Sequence, residues 1–254
     1  ANGVNPYSLY RFEMGTVYYA HGGISFSSAA NPGSKYSIIA GRGNMPVNWV
    51  SFWDACRFAN WVNNGQGTGS TETGAYSLNG VTNPTNTITR NPGARVFIPS
   101  EDEWYKAAYH KSGSTNAGYW DYATQSNTAP QAEPPPGIDL INGSANYAYA
   151  VGDLTNVGSY TAKPSNSAYG TFDQGGSVWE WNDTVISGSS RGLRGGSFFV
   201  YGDYLRASYR GLNDPTYESG AVGFRVAEVP EPTSFALLAM GALGMPARRR
   251  GLGR

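Results

Sequence analysis

Only two stretches of this chain carry a sustained helical period, and each begins with a side-chain cap. Ser51 precedes Phe52, Ala55, Cys56, Ala59 and Val62, an apolar stripe at i, i+3, i+4, i+7 and i+10. Asp54 stands three residues after Ser51, a variant of the capping box, and Gly65 can close this helix in the left-handed region. The second runs from Ser100 to His110, where Ser100 and Glu103 make a full capping box and Glu101 and Asp102 sit at the positive end of the dipole. Turn residues interrupt everything else, with 34 glycines and 15 prolines among 254 residues. Strand candidates are short: Met14–Ala20, a hairpin arm at Gly74–Gly80, and several between Trp179 and Arg225. Glu133-Pro-Pro-Pro-Gly137 reads as an extended loop. Two helices among many short strands predict an α+β fold with a loop-heavy sheet.

Charge and cysteine content exclude whole classes of function. Charged residues make up 14% of the chain, against about 25% in ordinary soluble domains, so Tyr, Ser, Asn and Thr form the surface. Arg248, Arg249, Arg250 and Arg254 form a tail without acids, which leaves the body with 14 bases against its 18 acids. No basic face points to nucleic acid. Cys56 is the single cysteine and lies on the first helix's apolar stripe, which reads as a small buried hydrophobe. Disulfides within the chain and cysteine-rich zinc sites are thereby excluded. His21 and His110 are the only imidazoles, too few for a multi-histidine metal site. The chain opens at Ala1, which suggests either a removed targeting segment or a piece of a longer protein.

Asp173-Gln-Gly-Gly-Ser-Val-Trp-Glu-Trp181 packs two carboxylates, a glycine pair and two indoles into nine residues. Asp173 and Glu180 suit a hard cation such as Ca²⁺, with carbonyls turned inward by Gly175 and Gly176. On a strand, Trp179 and Trp181 would share one face and Glu180 would take the other. The same spacing also describes a glycine turn entering a strand with two core tryptophans.

Five pieces in order resemble the formylglycine-generating enzyme (sulfatase-modifying factor) family. They are Met45-Pro-Val-Asn-Trp-Val-Ser-Phe-Trp-Asp-Ala55, Ile98-Pro-Ser-Glu-Asp-Glu-Trp-Tyr-Lys-Ala-Ala108, Gly175-Gly-Ser-Val-Trp-Glu-Trp181, Arg194-Gly-Gly-Ser-Phe198 and Gly223-Phe-Arg225. The resemblance implies a C-type-lectin-like variant fold over residues 1–228, lacking the family's usual N-terminal strand and helix and binding structural calcium. One family calcium site falls on Asp173, Gly176, Val178 and Glu180, the middle two through their carbonyls. A second falls near Asn146, Tyr147, Asp153 and Thr155, on a loop shorter than the family's.

The family's oxidases bind copper through two cysteines five residues apart, because Cu(I) is soft and thiolate is the reacting species. The matching positions here are Val200 and Leu205, so no copper is expected. Two isolated histidines cannot replace it with an iron cluster. The surrounding Trp179, Ser197, Tyr201, Asp203, Tyr204 and Arg206 are candidates for a ligand-binding groove, since rigid aromatics give contact area at low entropic cost. They are equally readable as ordinary strand residues. Arg194 and Arg225 read as structural, paired to acids or carbonyls.

Residues 229–254 form a separate device. Pro230-Glu-Pro232 is followed by an apolar run, Phe235–Met245, and then by Arg248-Arg-Arg250. The run is shorter than the ~20 residues of a spanning helix. The pattern resembles the PEP-CTERM sorting signal, which implies export, transient membrane association through the tail, and processing by an exosortase in a bacterial envelope. Two functions stand open. One is an exported, non-catalytic domain that binds a glycan, an exopolysaccharide or a protein in the envelope or extracellular matrix; the other is a sulfatase-modifying-type enzyme with altered, non-copper chemistry.

Overall fold

The computed structural model describes residues 5–229, apart from 86 and 164. Both helices form where the capping residues placed them, α1 at Phe52–Asn63 and α2 at Glu101–Tyr109. Asp54 Oδ2 accepts from Ser51 N at 2.9 Å and Glu103 Oε2 accepts from Ser100 N at 2.7 Å, while each serine hydroxyl accepts from the residue three further on. These reciprocal bonds satisfy donors that a helix start leaves unpaired. The stripe of α1 is the centre of the molecule: Phe52, Ala55, Cys56 and Ala59 are fully buried against Ile98, Trp181, Leu193 and Val222. Burial pushes the Cys56 thiol well up, so it behaves as a small hydrophobe.

The largest sheet has four strands. The hairpin of β6 (Trp179–Ser187) and β7 (Ser190–Arg194) lies at its middle, and β8 (Gly211–Asn213) and β9 (Val222–Phe224) form its edges. β9 runs parallel to β6 while the other pairs are antiparallel. Trp181 faces α1 and donates its indole N–H to Val50 O at 3.0 Å, and Glu180 takes the other face, as alternation requires. Three small pairs complete the fold: β1 (Ile24–Phe26) with β2 (Tyr36–Ile38), β3 (Val96–Phe97) with β10 (Ala227–Glu228), and β4 (Gln131–Ala132) with β5 (Ser144–Ala145). This is a loop-rich α+β fold.

Two expected strands do not form. Met14 and Gly15 end a 3-10 turn at Phe12–Gly15, and Tyr18 and Tyr19 project into solvent. Alternation supplied these residues with strand character but no partner strand, and the pairing goes instead to β1 and β2. Gly74–Gly80 is also irregular. It is held from the side by Asn60, whose Oδ1 accepts from Tyr76 N at 2.7 Å and whose Nδ2 donates to Tyr76 O at 3.0 Å. Among the described residues no helix is long and apolar enough to cross a membrane. The PEP-CTERM-like tail from 230 onward lies outside the described residues.

Candidate functional site

The loop that leaves β7 builds the site. Gly195 and Gly196 both adopt positive φ, and a Cβ on Gly195 would lie 2.8 Å from Gln174 O, so the turn demands glycine there. That turn brings Val200 and Leu205 together. A Cβ built on Gly196 would meet Leu205 Cδ1 at 2.7 Å and Val200 Cγ2 at 3.3 Å. Leu205 is buried with Tyr122 and Ala145, and Val200, Tyr147 and Tyr204 pack around them. The two positions that the resemblance matches to a thiol pair thus hold aliphatic side chains that both approach Gly196. Ser197 is fully buried nearby, and its Oγ has no hydrogen-bond partner.

The other predicted groove residues divide into two groups. Trp179 and Tyr204 meet edge-on at 6.2 Å, and Tyr209 completes a cluster at 5.8 Å from Trp179 and 4.6 Å from Tyr204. Tyr201 and Asp203, on the 3-10 turn around Gly202–Leu205, stand in solvent, with Tyr201 73% exposed. Arg206 turns aside to pair with Asp121 at 3.1 Å. Sequence reasoning missed Tyr149, Phe199 and Tyr209. Tyr149 stacks on Phe199 at 5.9 Å, and Phe199 in turn lies 5.0 Å from Phe198. The crowding of tyrosine between 201 and 209 was the signal for Tyr209; nothing local marked Tyr149. Ala148 and Tyr149 both take left-handed backbone, held there by bonds of 2.8 Å from their N–H groups to Val200 O and Phe198 O. Consecutive non-glycine residues in this region cost on the order of 1–3 kcal/mol each, a strain that concentrates at functional loops.

The eight predicted calcium ligands are placed as follows. Asp173 and Val178 line a cavity of about 250 Å³ together with Glu180 and Arg225. Glu180 Oε2 accepts from Arg225 Nε at 2.5 Å and from Trp104 Nε1 at 2.7 Å, and Oε1 accepts from Arg225 Nη2 at 2.6 Å. The carboxylate is already neutralised, so this set fits a calcium ion only if Arg225 gives way. Burial pushes the Asp173 carboxyl up, against a hydrogen bond of 2.7 Å from Gly158 N. Gly176 adopts positive φ, and a Cβ there would lie 2.3 Å from Asn146 O.

In the second set, Asp153 turns its carboxylate away toward Arg42, at 2.9 and 3.0 Å, and His21, at 2.9 Å. Burial works to raise its pKa, but those donors and Leu154 N bring it down to about 2. Asn146 donates from Nδ2 to Asp153 O at 2.8 Å, while its Oδ1 is buried without a partner. Thr155 is buried, and Tyr147 donates its hydroxyl to Pro130 O at 2.6 Å. Among the described residues no three His, Cys, Asp or Glu side chains gather as a metal cluster, so a cation here would rely on carbonyl and amide oxygens.

Arg194 and Arg225 are structural. Arg194 pairs with Glu101 through Nε at 2.7 Å and donates to Ala207 O at 2.8 Å, and Asn182 Nδ2 holds the other oxygen of Glu101 at 2.8 Å.

Comparison with known proteins agrees with this architecture. The chain superposes with a TM-score of 0.50 on the crystal structure of CarF, at 23% identity over 75% of this chain and 70% of that one, and with a TM-score of 0.50 on the structure of Treponema denticola variable protein 1, at 22% identity over 81% and 78%. The chain is 25% identical over 229 residues to the formylglycine-generating enzyme of Streptomyces coelicolor, covering 80% of this chain and 59% of that protein's length. A PEP-CTERM protein-sorting motif matches residues 228–250, which implies export by way of the cell envelope and processing by an exosortase. The sulfatase-modifying factor enzyme 1-like domain matches residues 13–229, and the chain belongs to that family.

Proposed function

We propose that this is an exported, non-catalytic member of its family that binds a glycan, an exopolysaccharide or a protein through the loop surface around Tyr149 and Tyr201. One observation carries the reading. Val200 and Leu205, which the resemblance matches to the family's thiol pair, are aliphatic side chains in one apolar cluster and offer neither a soft metal ligand nor a nucleophile. Exposed Tyr149, Tyr201, Tyr18 and Tyr19 support a binding role, because aromatic faces give large contact area with few rotatable bonds. Structural calcium belongs to the same proposal, and its support is the unpartnered Asn146 Oδ1. The tail beyond residue 228 is a processing signal in this reading, and the mature domain reaches the envelope surface or extracellular matrix without it.

The test is a pull-down of the purified domain with envelope exopolysaccharide, repeated with Tyr149→Ala and Tyr201→Ala. Retention that falls at least fivefold in the variants is expected. Oxygen-dependent turnover of a Cys-X-Pro-X-Arg peptide would sink the proposal, as would turnover that survives removal of all metal ions.

A further inference from the structure

We propose that a cavity beside α1, remote in sequence from the loops just described, binds an organic ammonium ion with an apolar body. The cavity measures about 590 Å³, within the range of small-molecule sites. Two aromatic groups line it. Phe58 and Trp61 of α1 stand with Phe224 of β9, at ring separations of 5.8 Å for Phe58–Trp61 and 5.3 Å for Phe58–Phe224. Tyr10 and Tyr36 form the second group, 5.2 Å apart. Phe58 is 42% exposed, which leaves its ring open to solvent and to an entering molecule.

Two lining residues, Asp54 and Arg57, each carry a buried polar atom without a partner. Asp54 is 7% exposed, and its Oδ2 is occupied by the Ser51 N–H at 2.9 Å and the Ser51 hydroxyl at 2.7 Å. Its Oδ1 is buried with no partner. A buried carboxylate oxygen left unmatched costs more than an unmatched neutral group, so this atom calls for a donor or a cation. Burial correspondingly pushes the Asp54 carboxyl up.

Most of the nearby positive charge is committed, with Arg57 Nη1 the exception, buried without a partner. Arg57 is held by Glu72 at 2.7 Å and by Val81 O at 2.8 Å, and its guanidinium lies 4.2 Å over the Tyr7 ring. Arg11 is divided between Glu13 at 3.3 Å and Glu218 at 2.9 Å. Of the acidic groups in this region only Asp54 lines the cavity, while Glu13, Glu72 and Glu218 around it share Arg11 and Arg57, so acidic groups outnumber basic ones there. An ammonium ion answers both features at once. It neutralises Asp54 and lies against ring faces whose quadrupoles attract cations, while its hydrocarbon body fills the apolar walls.

Titration calorimetry on the full chain tests the proposal, with 2-phenylethylammonium and benzyltrimethylammonium as probes and 2-phenylethanol and phenylacetate as controls. At least one ammonium probe should bind tenfold or more tightly than the alcohol, with phenylacetate weaker still. Phe58→Ala, at a partly exposed position that leaves the core intact, should weaken the ammonium probes at least fivefold. Asp54→Asn should abolish the preference for the charged probe while its side-chain oxygen still accepts from Ser51 N. Equal affinity for ammonium and alcohol overturns the proposal. So does tighter binding of phenylacetate, binding untouched by Phe58→Ala, or no heat from either ammonium probe at millimolar concentration.

Discussion

Replacing Val200 and Leu205 together by cysteine tests whether these residues stand where the family keeps its thiols. Val200 Cγ2 and Leu205 Cγ lie 3.3 and 3.4 Å from the position of a Cβ on Gly196, so these two γ positions lie no farther apart than the sum of those distances, about 7 Å. Rotation about the two χ1 angles would then have to bring two sulfurs close enough to share an ion. Val200→Cys removes roughly one methyl group and Leu205→Cys roughly two carbons; at about 0.8 kcal/mol per buried methylene the pair costs about 2 kcal/mol. Leu205 is fully buried and Val200 only partly, so most of that loss comes from Leu205. For a domain of this length the melting temperature should fall by about 4–8 °C. Anaerobic titration with Cu(I) against a competing chelator should then show one ion bound per double variant, and part of the lost melting temperature should return with it. The parent chain and each single variant should bind none. A folded double variant that takes up no Cu(I) would falsify the placement, and stoichiometric Cu(I) on the parent would refute the non-catalytic reading directly.

Further consequences concern calcium, pH and a buried ion pair. If Asn146 Oδ1 ligates calcium, Ca²⁺ at a hundred times its dissociation constant should stabilise the chelator-treated protein by about 2.7 kcal/mol. That raises the melting temperature by about 5–10 °C. Asn146→Ala should abolish the increment, and an unchanged melting temperature in the parent refutes calcium binding. Burial, reinforced by the charge on Asp54, lifts the Glu218 carboxyl to about 7 despite Arg11 beside it. A raised carboxyl pKa means that the folded state holds a proton the unfolded chain has released, so stability should decline from about pH 4.5 to about pH 7. Because Glu218 is only partly shielded from solvent, a decline on the order of 1–2 kcal/mol is expected. Glu218→Gln should flatten this segment of the urea-midpoint profile; an equal slope in the variant removes Glu218 as its source. Arg194→Met leaves the Glu101 carboxylate buried beside Asn182 without its cation, and urea denaturation should register a loss of about 3–5 kcal/mol. A loss below about 1 kcal/mol would show that water reaches Glu101.

What could be read from the sequence was local. The caps at Ser51 and Ser100 depend on residues three positions away, and the stripe of α1 depends on a period within twelve residues, so both translate directly into structure. The partners of Glu180 and Asp153 could not be read in that way. Arg225 lies 45 residues beyond Glu180, and Arg42 lies 111 residues before Asp153; no pattern along the chain joins them. The same distance effect misplaced the Met14–Ala20 strand, since alternation marks a residue's faces without naming the strand that would pair with it.

It also limits what Asp173 and Glu180 can reveal about a metal. A buried glutamate held by Arg225 and Trp104 has a structural reason to stand where it does, whether or not a cation binds beside it. Spacing of carboxylates therefore does not distinguish an ion pair from a calcium site. The proposal of calcium rests instead on Asn146 Oδ1, a buried acceptor to which the described residues supply no donor. The same reasoning applies to Asp54 Oδ1 in the aromatic cavity. In both places the proposal starts from an unmet hydrogen-bonding or charge requirement read in three dimensions, and the binding measurements above decide whether a ligand meets it.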